Sequence, residues 1–176
     1  MGLIIGKKIK ELMKGYPTVS DKYNVAGATL TGENPVEFGS LVKLSNINGY
    51  FEAIEAGDVT EDTFEKLGGF VLATNVKLNE LWPEGNVRVN PGEAFNLLVN
   101  GFMAIGLAST AVKTDVVPNA KVYVTANGEI TTVSDDAAVK DSEDYAIELP
   151  NVVFTGVIEN QGTEERPAYV AEIYVK

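Results

Sequence analysis

Short apolar runs, separated by Gly, Pro, Asn and Asp, follow one another from residue 24 to the end of the chain. The runs are rich in Val, Ile, Thr, Tyr and Phe, which is typical of β-strands. Residues 60–67 are predicted to be helical, with Thr60 as the N-cap. Many short strands with few helices favour a mainly β fold, a jelly-roll-like sandwich or barrel. The predicted strands are residues 24–30, 40–44, 51–56, 69–77, 86–90, 94–100, 102–107, 121–125, 130–132, 152–160 and 168–175.

Two Asn-Gly pairs lie between apolar runs, at Asn100-Gly101 and at Asn127-Gly128. Both residue types accept the positive φ that a tight hairpin turn needs. The sequence therefore predicts a hairpin at each pair, joining the strands on either side.

The predicted strand at 102–107 is apolar at nearly every position. A strand with one face in water would alternate between apolar and polar residues. We therefore expect this strand to be covered on both faces, by the core on one side and by another subunit or a loop on the other. The last strand does alternate, and places Tyr169, Ala171, Ile173 and Val175 on one face.

The first 22 residues differ from the rest, because five of the 14 basic residues lie there. Within residues 3–14 apolar residues recur at helical spacing, and Gly15 and Pro17 end the pattern. We therefore predict a basic amphipathic arm at 1–22 with a short N-terminal helix, followed by a single β domain at 23–176. A helix this short needs a surface to pack on, either its own β domain or an acidic partner. A membrane surface is a third alternative, but the apolar face is small and lacks Trp and Phe.

The chain carries 14 Lys and Arg against 25 Asp and Glu, a net charge of −11. Phosphate neutralisation dominates nucleic-acid binding, so a chain with this charge is not expected to bind nucleic acid. The charge is also uneven, since residues 129–165 hold ten acids and one lysine, a net charge of −9. Such polarity between a basic arm and an acidic segment can steer an assembly. The apolar runs are too short to span a bilayer, and the N-terminus lacks the order of a signal peptide, so no membrane partner is expected.

The chain has no His and no Cys. This excludes a Ser-His-Asp triad, an imidazole metal site, a thiol nucleophile and metal ligation by thiolates. The carboxylate pairs Asp135/Asp136 and Glu143/Asp144 lie in polar, loop-like sequence, whereas a catalytic acid needs an apolar pocket to raise its pKa. We predict no enzymatic activity, no catalytic residue, no metal site and no cofactor.

Several stretches of the predicted β domain are each a strand with its turn. They are ENPVEFGSLV at 33–42, GFVLAT at 69–74, VNPGEAFNLLVNGF at 89–102, VPNAKVYVTANG at 117–128, NVVF at 151–154 and EIYVK at 172–176. Their order and spacing resemble those of the structural cement, or capsid decoration, proteins of tailed bacteriophages, and the resemblance covers most of residues 24–176. The sequence departs from the family pattern at Asn119-Ala120, where the family often has Gly-Asp.

The resemblance implies a jelly-roll-like β body that associates as trimers on the outside of the phage head. Such trimers sit at three-fold positions of the major-capsid lattice and tie neighbouring capsomers together, which is a binding role without chemistry. The implied partners are the major capsid protein and further copies of the same chain as a homotrimer. The implied location is the outer capsid surface of the virion, after synthesis in the bacterial cytoplasm.

We expect two groups of residues to contact the capsid or a neighbouring subunit. The first group is the basic arm, whose lysines suit an acidic capsid surface. The second group comes from the all-apolar strand at 102–107, which needs a cover on its second face. Together these residues are Ile4, Ile5, Lys7, Lys8, Ile9, Lys10, Leu12, Met13, Lys14, Phe102 and Ile105.

The alternative function is a carbohydrate-binding or head-fibre-type β-sandwich module. It needs exposed aromatic side chains that lie together, and Trp82, Tyr50 and Phe51 are the candidates. A hydrolase that uses the paired acids is a third hypothesis. Activity lost on Asp135→Asn or Glu143→Gln would be required to support it.

Overall fold

A computed structural model describes residues 12, 14–18, 23–60, 62–73, 88–133 and 146–176. The described residues form eleven β-strands and two short 3-10 turns, Phe64–Lys66 and Lys113–Asp115, so the mainly β prediction is confirmed. The strands are β1 (Tyr23–Leu30), β2 (Val36–Glu37), β3 (Leu41–Leu44), β4 (Tyr50–Ala53), β5 (Leu67–Leu72), β6 (Arg88–Val89), β7 (Ala94–Gly106), β8 (Lys121–Thr125), β9 (Ile130–Thr131), β10 (Ala146–Asn160) and β11 (Tyr169–Val175).

Five strands close into a first ring. Their order is β1-β4-β3-β5-β7, and β7 also pairs with β1. The β1–β4 pair is parallel, whereas the other pairs of this ring are antiparallel. Within the first half of β7, Leu97 and Leu98 have partners on both sides, in β1 and in β5. The β1–β4 pairing that closes the ring is short and joins Thr29 and Leu30 to Tyr50 and Phe51.

A second ring starts from the other half of the same strand. Its order is β7-β11-β10-β8-β9. A parallel bridge between Leu107 and Ile130 returns from β9 to the end of β7, where the Ala108 N–H donates to the Ile130 carbonyl at 2.7 Å. Strand β7, which is thirteen residues long, therefore contributes its first half to the first ring and its second half to the second ring. The remaining strands, β2 and β6, form a separate two-stranded sheet.

Alternating side chains of the ring strands build two apolar clusters. The first ring contributes Leu30, Val42 and Val71 to one cluster, in which Phe51 meets Phe95 edge to face with 6.2 Å between ring centroids. The larger cluster combines the second ring with the opposite faces of β3, β5 and β7, and so joins the two rings. Its members are Leu41, Val59, Phe70, Leu72, Leu98, Met103, Ile105, Val116, Val122, Val124, Ile130, Leu149, Phe154, Ala171 and Ile173.

The predicted hairpin at Asn100-Gly101 is wrong, because β7 runs through both residues. Tyr23 and Asn24 pair with Gly101 and Asn100, but the next residue of β1 pairs with Leu98, so one residue of β7 is left over as a bulge. Gly101 has φ 131°, and the Asn100 side-chain amide donates to the Val175 carbonyl at 3.1 Å. Glycine accepts a positive φ inside a strand as well as in a tight turn, so the Asn-Gly pair alone does not specify a hairpin.

The second Asn-Gly pair does form the predicted hairpin, between β8 and β9. Gly128 has φ 79°, its N–H donates to the Thr125 carbonyl at 2.9 Å, and the Thr125 N–H donates to the Glu129 carbonyl at 2.9 Å. The predicted helix at 60–67 is shorter than expected, because only the 3-10 turn forms before β5 begins at Leu67.

An ion pair fastens the loop after β4 to strand β3. Lys43 Nζ lies 2.6 Å from a carboxylate oxygen of Asp58, which also accepts the Glu55 backbone N–H at 2.6 Å. Burial raises the pKa of Asp58, but the hydrogen bonds from Lys43 and Glu55 outweigh this effect and leave the pKa below its usual value. The Asp58 carboxylate therefore stays ionised and pairs with the Lys43 ammonium group.

Phe154 on β10 is fully buried in the larger cluster, whereas Val157 on the same strand is 47% exposed. We expect Phe154→Ala to lower the free energy of unfolding by about 3–5 kcal/mol, because it removes buried area and leaves a cavity. The matched control Val157→Ala should change it by less than about 0.5 kcal/mol. Denaturant unfolding monitored by circular dichroism measures both; equal losses would contradict the assignment of the core.

Candidate protein-interaction site

Residues 14–18 lie along the second half of β7, on the edge opposite β11. The Gly15 N–H donates to the Ala104 carbonyl at 2.7 Å, the Ala104 N–H donates to the Tyr16 carbonyl at 3.1 Å, and the Thr18 N–H donates to the Phe102 carbonyl at 3.2 Å. Backbone groups on both edges of this half-strand are therefore paired. Burial raises the pKa of the Tyr16 hydroxyl, consistent with a segment packed onto the body.

Gly15 makes the closest approach between this segment and the body. It has φ +81°, and a Cβ there would lie 2.4 Å from the Phe38 Cβ. Its carbonyl accepts the Ala73 N–H at 2.8 Å, which ties the segment to the end of β5 as well as to β7. In the sequence this residue only ended a helical pattern; in the structure it is the point where two backbones touch.

Leu12 and Lys14, two of the residues expected to contact a partner, contact the body of their own chain. Leu12 is buried against Ala104 and Val170. Its N–H donates to the Glu159 carboxylate at 2.8 Å, and its carbonyl accepts the side-chain amide of Gln161. The β10–β11 hairpin thus holds the chain at Leu12, and neither described residue of the predicted N-terminal helix is helical.

Lys14 forms an ion pair with Glu37, with 2.6 Å between Nζ and the carboxylate. Both side chains are exposed, and exposed pairs stabilise a protein by about 1 kcal/mol or less. Lys14 could therefore leave Glu37 and pair with a carboxylate of another protein at little cost in free energy. The other predicted arm residues lie outside the described part of the chain: Ile4, Ile5, Lys7, Lys8, Ile9, Lys10 and Met13.

The two predicted contact residues of β7 face different surroundings. Ile105 is fully buried in the larger apolar cluster, so this chain itself covers its side chain. Phe102 is half-buried and stacks on Tyr174 of β11, with 4.5 Å between ring centroids. On the second face of the strand, Leu12 covers Ala104. Of the two expected covers, another subunit or a loop of the same chain, the second applies at this position. That Phe102 contacts another subunit stays a prediction.

An apolar groove of about 440 Å³ lies between the two rings, a feature that the sequence reasoning missed. None of the residues that line it is charged. It is lined by Phe64, Leu67 and Phe70 on one side, with Pro150 and Val152 of β10 on the other. These residues are distant in sequence, and the available signal was that residues 67–73 and 149–158 carry no charge in a chain otherwise rich in acids.

The β3–β4 hairpin presents a second apolar surface. Leu44, Ile47 and Tyr50 are all exposed there. Tyr50 and Phe51 are neighbours on β4 and so point to opposite faces of the sheet, Phe51 toward Phe95. They do not form the shared sugar-binding platform that the carbohydrate-binding alternative requires, and Trp82 lies outside the described residues.

Among the described residues, no group of three or more acidic side chains is placed to hold a metal ion. The carboxylate pairs considered for catalysis, Asp135/Asp136 and Glu143/Asp144, lie outside those residues. Within the same described part, no helix has the length and apolar character needed to cross a membrane.

The chain resembles known proteins in sequence and in fold. The sequence model of the XM1 gp53 minor capsid protein family matches residues 13–165. A chain in the solved capsid of Myoviridae phage XM1 has a similar fold, with a TM-score of 0.56 and 14% sequence identity over 92% of this chain and 90% of that chain. No curated protein matches the sequence.

We expect Gly15→Ala to detach the segment at 14–18 from β7, because a Cβ at this position collides with Phe38. The control is Gly57→Ala, which has φ +82° but open space around it and should cost only the left-handed conformation, about 1–2 kcal/mol. Hydrogen exchange at the Ala104 amide should quicken at least about 30-fold in Gly15→Ala and stay slow in Gly57→Ala. Equal protection in the two variants would show that the segment does not pack on β7.

Proposed function

The chain belongs to the XM1 gp53 minor capsid protein family, and on that premise we propose that it binds the outside of a phage head as trimers and stabilises contacts between major-capsid capsomers. It is a bacteriophage capsid structural protein. The observation that carries the proposal is the family match across residues 13–165, which covers strands β1 to β10.

The construction of the body supports a role in holding other proteins together. Its two rings share one strand, and segment 14–18 covers the remaining edge of that strand at Ala104. Paired edges resist strand exchange and aggregation when many copies crowd one surface.

The basic arm supports a capsid-facing role for the N-terminus. Leu12 is held by Glu159 and Gln161, and the lysines Lys7, Lys8 and Lys10 precede it closely in the sequence. A local basic run favours binding to an acidic surface, as the proposed capsid contact requires.

Co-sedimentation with phage capsids tests the proposed function. We expect the purified chain to be a trimer near three times 18.9 kDa by light scattering, and to pellet with expanded capsids in a stoichiometry divisible by three. The stoichiometry on the capsid is decisive, since the trimer can also assemble there. A chain that stays in the supernatant at all concentrations, or binds in a number not divisible by three, would contradict the proposal.

Charge reversal of the arm tests its role. We expect Lys7→Glu, Lys8→Glu and Lys10→Glu together to weaken capsid binding at least tenfold and to reduce its dependence on salt. The control makes the same change in net charge on the β domain, through Lys66→Glu, Lys113→Glu and Lys176→Glu. If both triple variants bind alike, the arm is not the anchor.

A further inference from the structure

We propose that the apolar groove of one chain binds the β3–β4 hairpin loop of a second copy, so that three copies close into a ring. This inference rests on the trimer of the proposed function and assigns its contact surface. The contact would join two surfaces: the charge-free groove between the rings and the projecting hairpin loop that carries Ile47.

The first argument is charge. Copies of a chain with net charge −11 repel one another, and the repulsion is smallest where the touching surfaces carry no charge. The groove meets this condition, because no Asp, Glu, Lys or Arg lines it. Its rim continues onto the exposed face of β1 and β7, where Val99 is 52% exposed beside Val25 and Tyr23.

The second argument is symmetry. In a cyclic trimer each contact joins two different patches of the same chain, and the contact closes after three copies. The groove therefore needs a complementary apolar projection elsewhere on the chain. On the hairpin loop, Ile47 is 57% exposed, and Leu44 and Tyr50 flank it.

The third argument is that the hairpin loop is already ordered in the single chain. The Tyr50 N–H donates to the Ile47 carbonyl at 3.1 Å, the Ser45 N–H donates to the Tyr50 carbonyl at 2.9 Å, and the Ile47 N–H reaches the Ser45 hydroxyl at 3.3 Å. Holding Ile47 in place before binding reduces the entropy lost on association. A rigid apolar projection and a charge-free recess are the two halves of one heterologous contact.

The absence of cysteine from the native sequence allows a clean cross-linking test. The variant Ile47→Cys/Val99→Cys, treated with a short bis-maleimide, should give a covalent trimer on a denaturing gel, both in solution and bound to capsids. The control Ile47→Cys/Val157→Cys has an equally exposed valine on β10 and should stay uncross-linked. Each single-cysteine variant should also stay uncross-linked, since a heterologous contact does not bring two copies of one residue together.

A mixing experiment provides a second readout. We expect Ile47→Asp and Val99→Asp each to be monomeric by light scattering, while Val157→Asp stays trimeric. A mixture of the first two variants should form a dimer, because one retains an intact groove and the other an intact hairpin loop. Ile47 lies in a turn, so Ile47→Asp tests the contact even if Asp at position 99 prevents folding.

The outcomes separate this inference from the proposed function. If the chain binds capsids in threes but Ile47→Cys/Val99→Cys never cross-links on them, the groove assignment is wrong and the capsid role stands. If Ile5→Cys/Val99→Cys instead cross-links within one chain, the N-terminus fills the groove, which also overturns the inference. If the chain neither trimerises nor binds capsids, both proposals fail.

Discussion

The backbone pairing of β7 on both of its edges is the constraint on which the rest of the structure depends. A thirteen-residue strand carries N–H and C=O groups along both sides, and a buried group without a partner is costly. Strands β1 and β5 satisfy the first half, whereas β11 and the segment at 14–18 satisfy the second. Each ring therefore pairs one half of β7, and the two rings join near Gly101, where the partners of the strand change.

The bulge near Asn100 lets one strand serve two cores. Before it, Leu97 faces the cluster of the first ring and Leu98 faces the larger cluster. Strict alternation would then turn Met103 and Ile105 toward the first side, yet both lie in the larger cluster. One extra residue reverses the alternation, just as a one-residue slip in register exchanges the faces of a strand.

Local patterns in the sequence predict most strands, because each strand carries its own apolar run and turn residues. They fail where the deciding partner is distant. Asn100-Gly101 has the chemistry of a turn, but both residues pair with β1 and Gly101 also pairs with β11, so the strand continues through them and the bulge falls at Val99. Gly15 is required because Phe38 approaches it closely, and the groove forms because β5 and β10 face each other. Both contacts join residues that are distant in the sequence, so the spacing of residues along the chain does not predict them.

The paired strands β10 and β11 also separate the two proposed contacts in space. Leu12, which follows the basic arm in the sequence, is held at the hairpin end of this pair by Glu159 and Gln161. The groove lies at the opposite end, where Val152 pairs with Val175. The seven residues of β11 run between the two ends, a distance of about 20 Å. The proposed capsid contact of the arm and the proposed contact of the groove with another copy therefore do not compete for one surface. The separation also keeps the charged contact away from the uncharged one, whose affinity depends on the exclusion of water.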